Sequence, residues 1–125
     1  MNLLLDTHVL LWWLDDNPTL LIKAKEAIAD GSNIVFVSAV TIWEIKIKHT
    51  LGKLEIPVNF REVLEQQAFA MLSITADHAH LIGELPPHHR DPFDRMLIAQ
   101  AMFEHFTLVT RNSRFKQYEV STIRA

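Results

Sequence analysis

The chain has 125 residues, the size of one compact domain, and 49% of them are hydrophobic, enough for a sizeable core. A formal net charge of −3 excludes a polybasic nucleic-acid clamp but leaves room for local basic patches. The lack of cysteine excludes disulfides, thiolate metal sites and a thiol nucleophile.

In chain order, residues 2–6 (NLLLD) form a continuous apolar run, as in a strand buried on both faces. Residues 7–16 (THVLLWWLDD) read as a short helix with almost no polar face. Residues 18–31 (PTLLIKAKEAIADG) have helical spacing, with Pro18 at the start and Gly31 at the end. A second buried strand, NIVFVS, ends at Ser38 and leads into a helix, AVTIWEIKIKHTLGK, that ends near Gly52. NFREVLEQQAFA is an amphipathic helix, MLSIT a third strand, and ADHAHLIGEL a helix stopped by Pro86 and Pro87. DPFDRMLIAQAMFEH is the strongest helical pattern, with Pro92 in its first turn. FTLVT makes a fourth strand and YEVSTI a fifth.

Strands alternate with helices, are short and apolar, and are joined by no hairpin turn. The fold expected is therefore α/β: a central, mainly parallel sheet of four or five strands between helical layers, in a single domain over residues 1–125. No run approaches the roughly 20 apolar residues of a membrane span. Asp6 and Asp15 interrupt the apolar N-terminal stretches, and no basic targeting segment precedes them. A cytoplasmic protein is expected.

In parallel sheets, ligands bind outside the carboxyl ends of the strands. Asp6 follows the first strand, and Glu44 lies six residues after Ser38. Asp91 and Asp94 open the helix before the fourth strand, and Thr110, Arg111, Asn112 and Ser113 follow it. Each has an ordinary explanation. Asp6, Asp91 and Asn112 suit helix caps, and Asp94 complements a helix dipole, worth about 0.3–1 kcal/mol. Together they would gather several acids at one sheet edge, where like charges repel and desolvation is costly. A divalent cation offsets both effects, and all-oxygen ligation suits Mg²⁺ or Mn²⁺ rather than Zn²⁺. Such an ion supports phosphodiester hydrolysis. His88 and His89 lack a third nitrogen ligand at useful spacing, which argues against zinc. Arg90, Arg95, Arg111, Arg114 and Lys116 flank the acids and suit phosphate positioning, with His8 as a further substrate contact. Trp12 and Trp13 on the apolar first helix suit a partner interface.

The stretches LLDTHVLLWWL, SAVTIWEIKIKHTLGKL, HHRDPFDRMLIAQA and TLVTRNSRF resemble, in order, the successive motifs of the PIN domain, and in particular of VapC-type toxins of bacterial toxin–antitoxin pairs. The resemblance spans nearly the whole chain. It implies a Mg²⁺- or Mn²⁺-dependent endoribonuclease, a cognate antitoxin, an RNA substrate and a homodimer. Asp6, Glu44 and Asp94 match the first, second and third family acids, and Asp91 is an additional acid of the RDPFDR subtype. Asn112 stands where many relatives carry Asp, which puts a second metal position in doubt. The rival expectation is a degenerate PIN-fold module that binds RNA or protein without cutting. A haloacid-dehalogenase-type phosphatase would need an acid where His8 stands, a receiver domain would need a Lys after TLVT, and no Gly-rich loop supports a P-loop enzyme.

Overall fold

The computed structural model describes residues 1–125. Five strands form one sheet: β1 (Asn2–Leu5), β2 (Ile34–Ser38), β3 (Ala70–Leu72), β4 (Thr107–Thr110) and β5 (Thr122–Arg124), in the order β3-β2-β1-β4-β5. All four pairings are parallel, with Leu3 opposite both Val35 and Thr107. The helices are α1 (Thr7–Leu14), α2 (Ile22–Ala29), α3 (Ala39–Thr50), α4 (Phe60–Glu65), α5 (Ala76–Ile82) and α6 (Pro92–Glu104).

β1 is central, and its unpatterned Leu3-Leu4-Leu5 run follows from burial on both faces. Leu3 and Leu5 join one core with Val9, Leu10, Ala24, Ile28, Phe60 and Leu64 of α1, α2 and α4. Leu4 points the opposite way, into a second core with Leu97, Ile98 and Ala101 of α6, Leu108 and Phe115. The expected three-layer α/β/α architecture is the observed one.

Several boundaries differ from the sequence expectation, three of them for reasons visible in the packing; among the others, β3 runs Ala70–Leu72 where MLSIT is expected, and α5 ends at Ile82. The second helix starts at Ile22, not Pro18, because residues 17–20 close a turn in which the Leu20 N–H bonds the Asn17 carbonyl at 3.1 Å and the Thr19 N–H bonds Asn17 Oδ1 at 2.9 Å. The fourth helix stops at Glu65, and the chain then enters β3 at Ala70. The last strand lies at Thr122–Arg124, later than YEVSTI suggests, because Ser113–Gln117 forms a 3-10 turn and Phe115 and Tyr118 are drawn into the core below the sheet edge.

The strand order reverses direction at β1, with β2 on one side and β4 on the other. That is the switch point at which parallel sheets open a crevice at their carboxyl edge. The Asp6 N–H extends the β1–β4 ladder to the Val109 carbonyl at 3.1 Å, so Asp6 leaves the sheet beside the end of β4.

Candidate active site

Asp6, Asp91 and Asp94 reach this edge because a helix begins there. Asp6 is the N-cap of α1, its Oδ1 accepting from the Val9 N–H at 3.0 Å. Asp91 caps α6, its Oδ1 accepting from the N–H groups of Phe93 at 2.8 Å and Asp94 at 3.2 Å. Asn112 caps the 3-10 turn by accepting from the Arg114 N–H at 3.0 Å. Glu44 sits a turn into α3, buried against α1. The capping explanation is therefore geometrically correct for all three caps, and it is also what brings them together. Asp6, Glu44, Asp91, Asp94 and Asn112 line one cavity of about 190 Å³ with Thr7, His8, Trp12, Lys48 and Arg111. A capping aspartate uses one face of its carboxylate and leaves the other available.

The remaining carboxylate oxygens are closely managed. Thr110 donates its hydroxyl to Asp6 Oδ2 at 2.5 Å. Thr7 donates to Glu44 Oε1 at 2.6 Å, and the Lys48 ammonium to Glu44 Oε2 at 2.5 Å. His89, buried, places Nε2 2.6 Å from Asp94 Oδ2. Burial raises the carboxyl pKa of Asp6, opposed by the Thr110 bond. Burial also pushes Asp94 up to about 6, against the His89 bond and with the charge of Asp91 adding to the rise. The bond to Glu44 raises Lys48 above the ordinary lysine range. Burial thus disfavours the ionised forms of Asp6 and Asp94.

This donor set suits a hard divalent cation: several carboxylates, no sulfur, and two acids whose ionised forms are disfavoured by burial. No three acidic or histidine side chains converge into a ready-made cage, however. Both oxygens of Glu44 are already engaged, one by the Lys48 ammonium, so in this arrangement lysine is the counter-cation at that acid.

The basic residues divide. Arg111 lines the acidic pocket, but its guanidinium also bonds the main-chain oxygens of Thr19 and Ala125 and lies 4.4 Å over the Trp12 ring. Arg95 corrects the sequence expectation. Its guanidinium turns away from the acids and donates to the carbonyls of Ile82, Leu85, Pro86 and His89, at 3.0–3.4 Å, which ties down the loop ahead of α6. Arg90 and Arg114 lie outside the pocket, in an adjoining cavity that shares Asp91 with it. His8 lines the acidic pocket and, with Trp12, an apolar groove of about 360 Å³ bounded by Leu11, Leu54, Ile56 and Phe60. Trp13 is half-buried within the chain, bonding Gln67 at 3.0 Å and packing against Phe69.

Sequence reasoning missed Lys48 and the pairing of His89 with Asp94. Lys48 was legible, since it stands four residues after Glu44 on one helix face. The His89–Asp94 pair depends on how the loop folds back over α6, for which no local pattern exists.

A wholly parallel sheet with an acidic pocket at its switch point defines an α/β protein built around a polyacidic site. The PIN domain family model matches residues 3–120, and the chain belongs to that family. It is 27% identical to Ribonuclease VapC22 of Mycobacterium tuberculosis over 120 residues, covering 94% of this chain and 92% of the relative. Its fold is similar to that of VapBC2 from Rickettsia felis bound to a promoter DNA fragment, with a TM-score of 0.75 at 19% identity over 99% of this chain and 98% of that one. DNA-bound VapBC from Salmonella typhimurium gives 0.73 at 16% identity, with the same coverage.

Proposed function

We propose that the protein is a divalent-metal-dependent endoribonuclease and the toxin of a toxin–antitoxin pair. The observation that carries this reading is the gathering of Asp6, Glu44, Asp91 and Asp94 in one pocket at the carboxyl edge of the sheet. Membership of the PIN domain family and the likeness to a relative named as a ribonuclease support it.

Asp6, Glu44 and Asp94 would hold Mg²⁺ or Mn²⁺, with Asp91 assisting. Such a cation supplies Lewis acidity, activating water for attack and offsetting charge on the phosphoryl group. The chain's own residues do the rest. Thr110 and the Val9 N–H fix the plane of the Asp6 carboxylate, Thr7 fixes Glu44, and His89 fixes Asp94. Lys48 balances Glu44 and is the cation that a metal would displace. Asn112 removes a charge at the pocket wall and spends its Oδ1 on the Arg114 N–H, which favours one metal position over two.

The partner in this reading is an antitoxin, and the apolar groove beside Trp12 is the surface we assign to it, with a second copy of the chain completing a homodimer. No helix is long and apolar enough to cross a membrane.

The test is cleavage of RNA by the purified chain. Turnover in Mn²⁺, lost on chelation and in Asp6→Asn, is expected. Chelator-resistant cleavage that survives Asp6→Asn would overturn the reading. The binding-module alternative draws on Asn112, and RNA binding without turnover at saturating Mn²⁺ would favour it.

A further inference from the structure

Beside the acidic pocket lies a second cavity, of about 520 Å³, lined by Pro87, His88, His89, Arg90, Asp91 and Arg114. The two share Asp91, and His89 reaches from the second cavity to bond Asp94 of the first. Apart from Pro87, every side chain that lines it is polar or charged.

Its cations differ from the others near the acids. Lys48 is paired with Glu44, Arg95 is committed to loop carbonyls, and Arg111 to the main-chain oxygens of Thr19 and Ala125. The exposed Arg90 and Arg114 are in no ion pair, and neither guanidinium makes a hydrogen bond within the chain. Their backbones are nevertheless anchored. Tyr118 Oη donates to the Pro86 carbonyl and accepts from the His89 N–H, both at 2.9 Å, and the Arg95 guanidinium holds the carbonyls of Pro86 and His89 at 3.1 Å each. The Arg114 N–H is held by Asn112. The His88 ring lies edge-on against Tyr118 at 5.3 Å. Two free guanidiniums on braced backbone thus converge on one polar cavity next to a cluster of carboxylates, in a chain of net negative charge.

We infer that the cavity between Arg90 and Arg114 binds a backbone phosphate of the RNA strand, adjacent to the phosphodiester presented to the acids. Guanidinium forks match phosphate oxygens in geometry as well as charge. The inference rests on the ribonuclease reading and adds to it a substrate requirement: a strand with at least one phosphate beyond the one cut. Arg95 then serves to hold the loop that presents Arg90, and touches no substrate itself.

The experiment compares the full chain with Arg90→Ala/Arg114→Ala and Arg90→Lys/Arg114→Lys. Binding of a fluorescein-labelled single-stranded oligoribonucleotide is followed by anisotropy across a salt series in EDTA, with cleavage in Mn²⁺ measured separately and melting curves confirming that the variants fold. The alanine pair should bind more weakly, and its slope of log K against log salt should be shallower by about 0.7 for each phosphate left without its arginine. The lysine pair should recover the slope and only part of the affinity. That result supports the subsite even if the wild type cuts nothing, in which case the ribonuclease reading alone fails. An unchanged slope and affinity in the alanine pair, or no RNA binding by the wild type in EDTA, overturns the subsite whether or not RNA is cut.

Discussion

At the residue scale, Asp6 serves two opposed demands. It caps α1 and bonds Thr110, yet burial disfavours its ionised form. Asn caps as well as Asp and carries no charge. Asp6→Asn should therefore leave the melting temperature in EDTA unchanged or higher while abolishing cleavage, a separation that calorimetry beside an RNA assay would reveal. A lower melting temperature would mean that the charge stabilises the fold. Lys48 makes the converse case. Removing its ammonium leaves the buried Glu44 without a counter-charge, so Lys48→Met should destabilise the metal-free protein by about 1–3 kcal/mol in urea titrations. Saturating Mn²⁺ should restore most of that loss. Asp94 gives a pH signature. Its folded pKa of about 6 lies above the ordinary value of 3.8, so the folded state binds more protons between these values. Its ionisation lowers stability as pH rises through that window, and the full penalty persists above pH 6. In EDTA, Asp94→Asn should be more stable than wild type at neutral pH, by about 1–3 kcal/mol. The gap should shrink towards zero as pH falls to about 4. A gap that is constant with pH would show that the Asp94 charge carries no stability cost.

At the element scale, α6 is the part of the site most open to dissection. Asp91→Ala removes its N-cap and should cost about 1 kcal/mol, whereas Asp91→Asn keeps the cap and removes only the charge. If Asp91 assists a cation, the Asn variant should match wild type in EDTA and show a smaller Mn²⁺-induced shift. Equal shifts would leave Asp91 a cap alone. Central elements were legible in the sequence because burial on both faces writes itself as an apolar run in β1 and β2, and because Pro92 and the apolar spacing after it mark α6. The edge strands β3 and β5, three residues each, were legible only approximately, since so short a pattern competes with turns that long-range packing decides. The same limit governed the site. Acids at strand ends and helix starts could be found from local order, and they do line one pocket. The directions of Arg95, Arg111 and His89 could not, because each is set by a loop or by residues distant in sequence.

At the scale of the molecule, the carboxyl edge of the sheet gathers three surfaces of different chemistry: an acidic pocket, an apolar groove sharing His8 and Trp12 with it, and a cationic cavity sharing Asp91. An acidic pocket alone would repel a polyanion, and in the proposed reading Arg90 and Arg114 would offset that repulsion on the side where they share a cavity with Asp91. The three helix starts carrying Asp6, Asp91 and, one turn further in, Glu44 come from separate parts of the chain, so the site exists only in the folded domain. A ligand that joins them should stabilise the whole fold by mass action. The decisive measurement is thermal unfolding of the purified protein with and without Mn²⁺, beside an Asp6→Asn/Asp94→Asn double variant. A cation held by these carboxylates predicts a Mn²⁺-dependent rise in melting temperature for the wild type that the variant lacks. No rise, or an equal rise in both proteins, would contradict such a site and return the carboxylates to capping and structural roles.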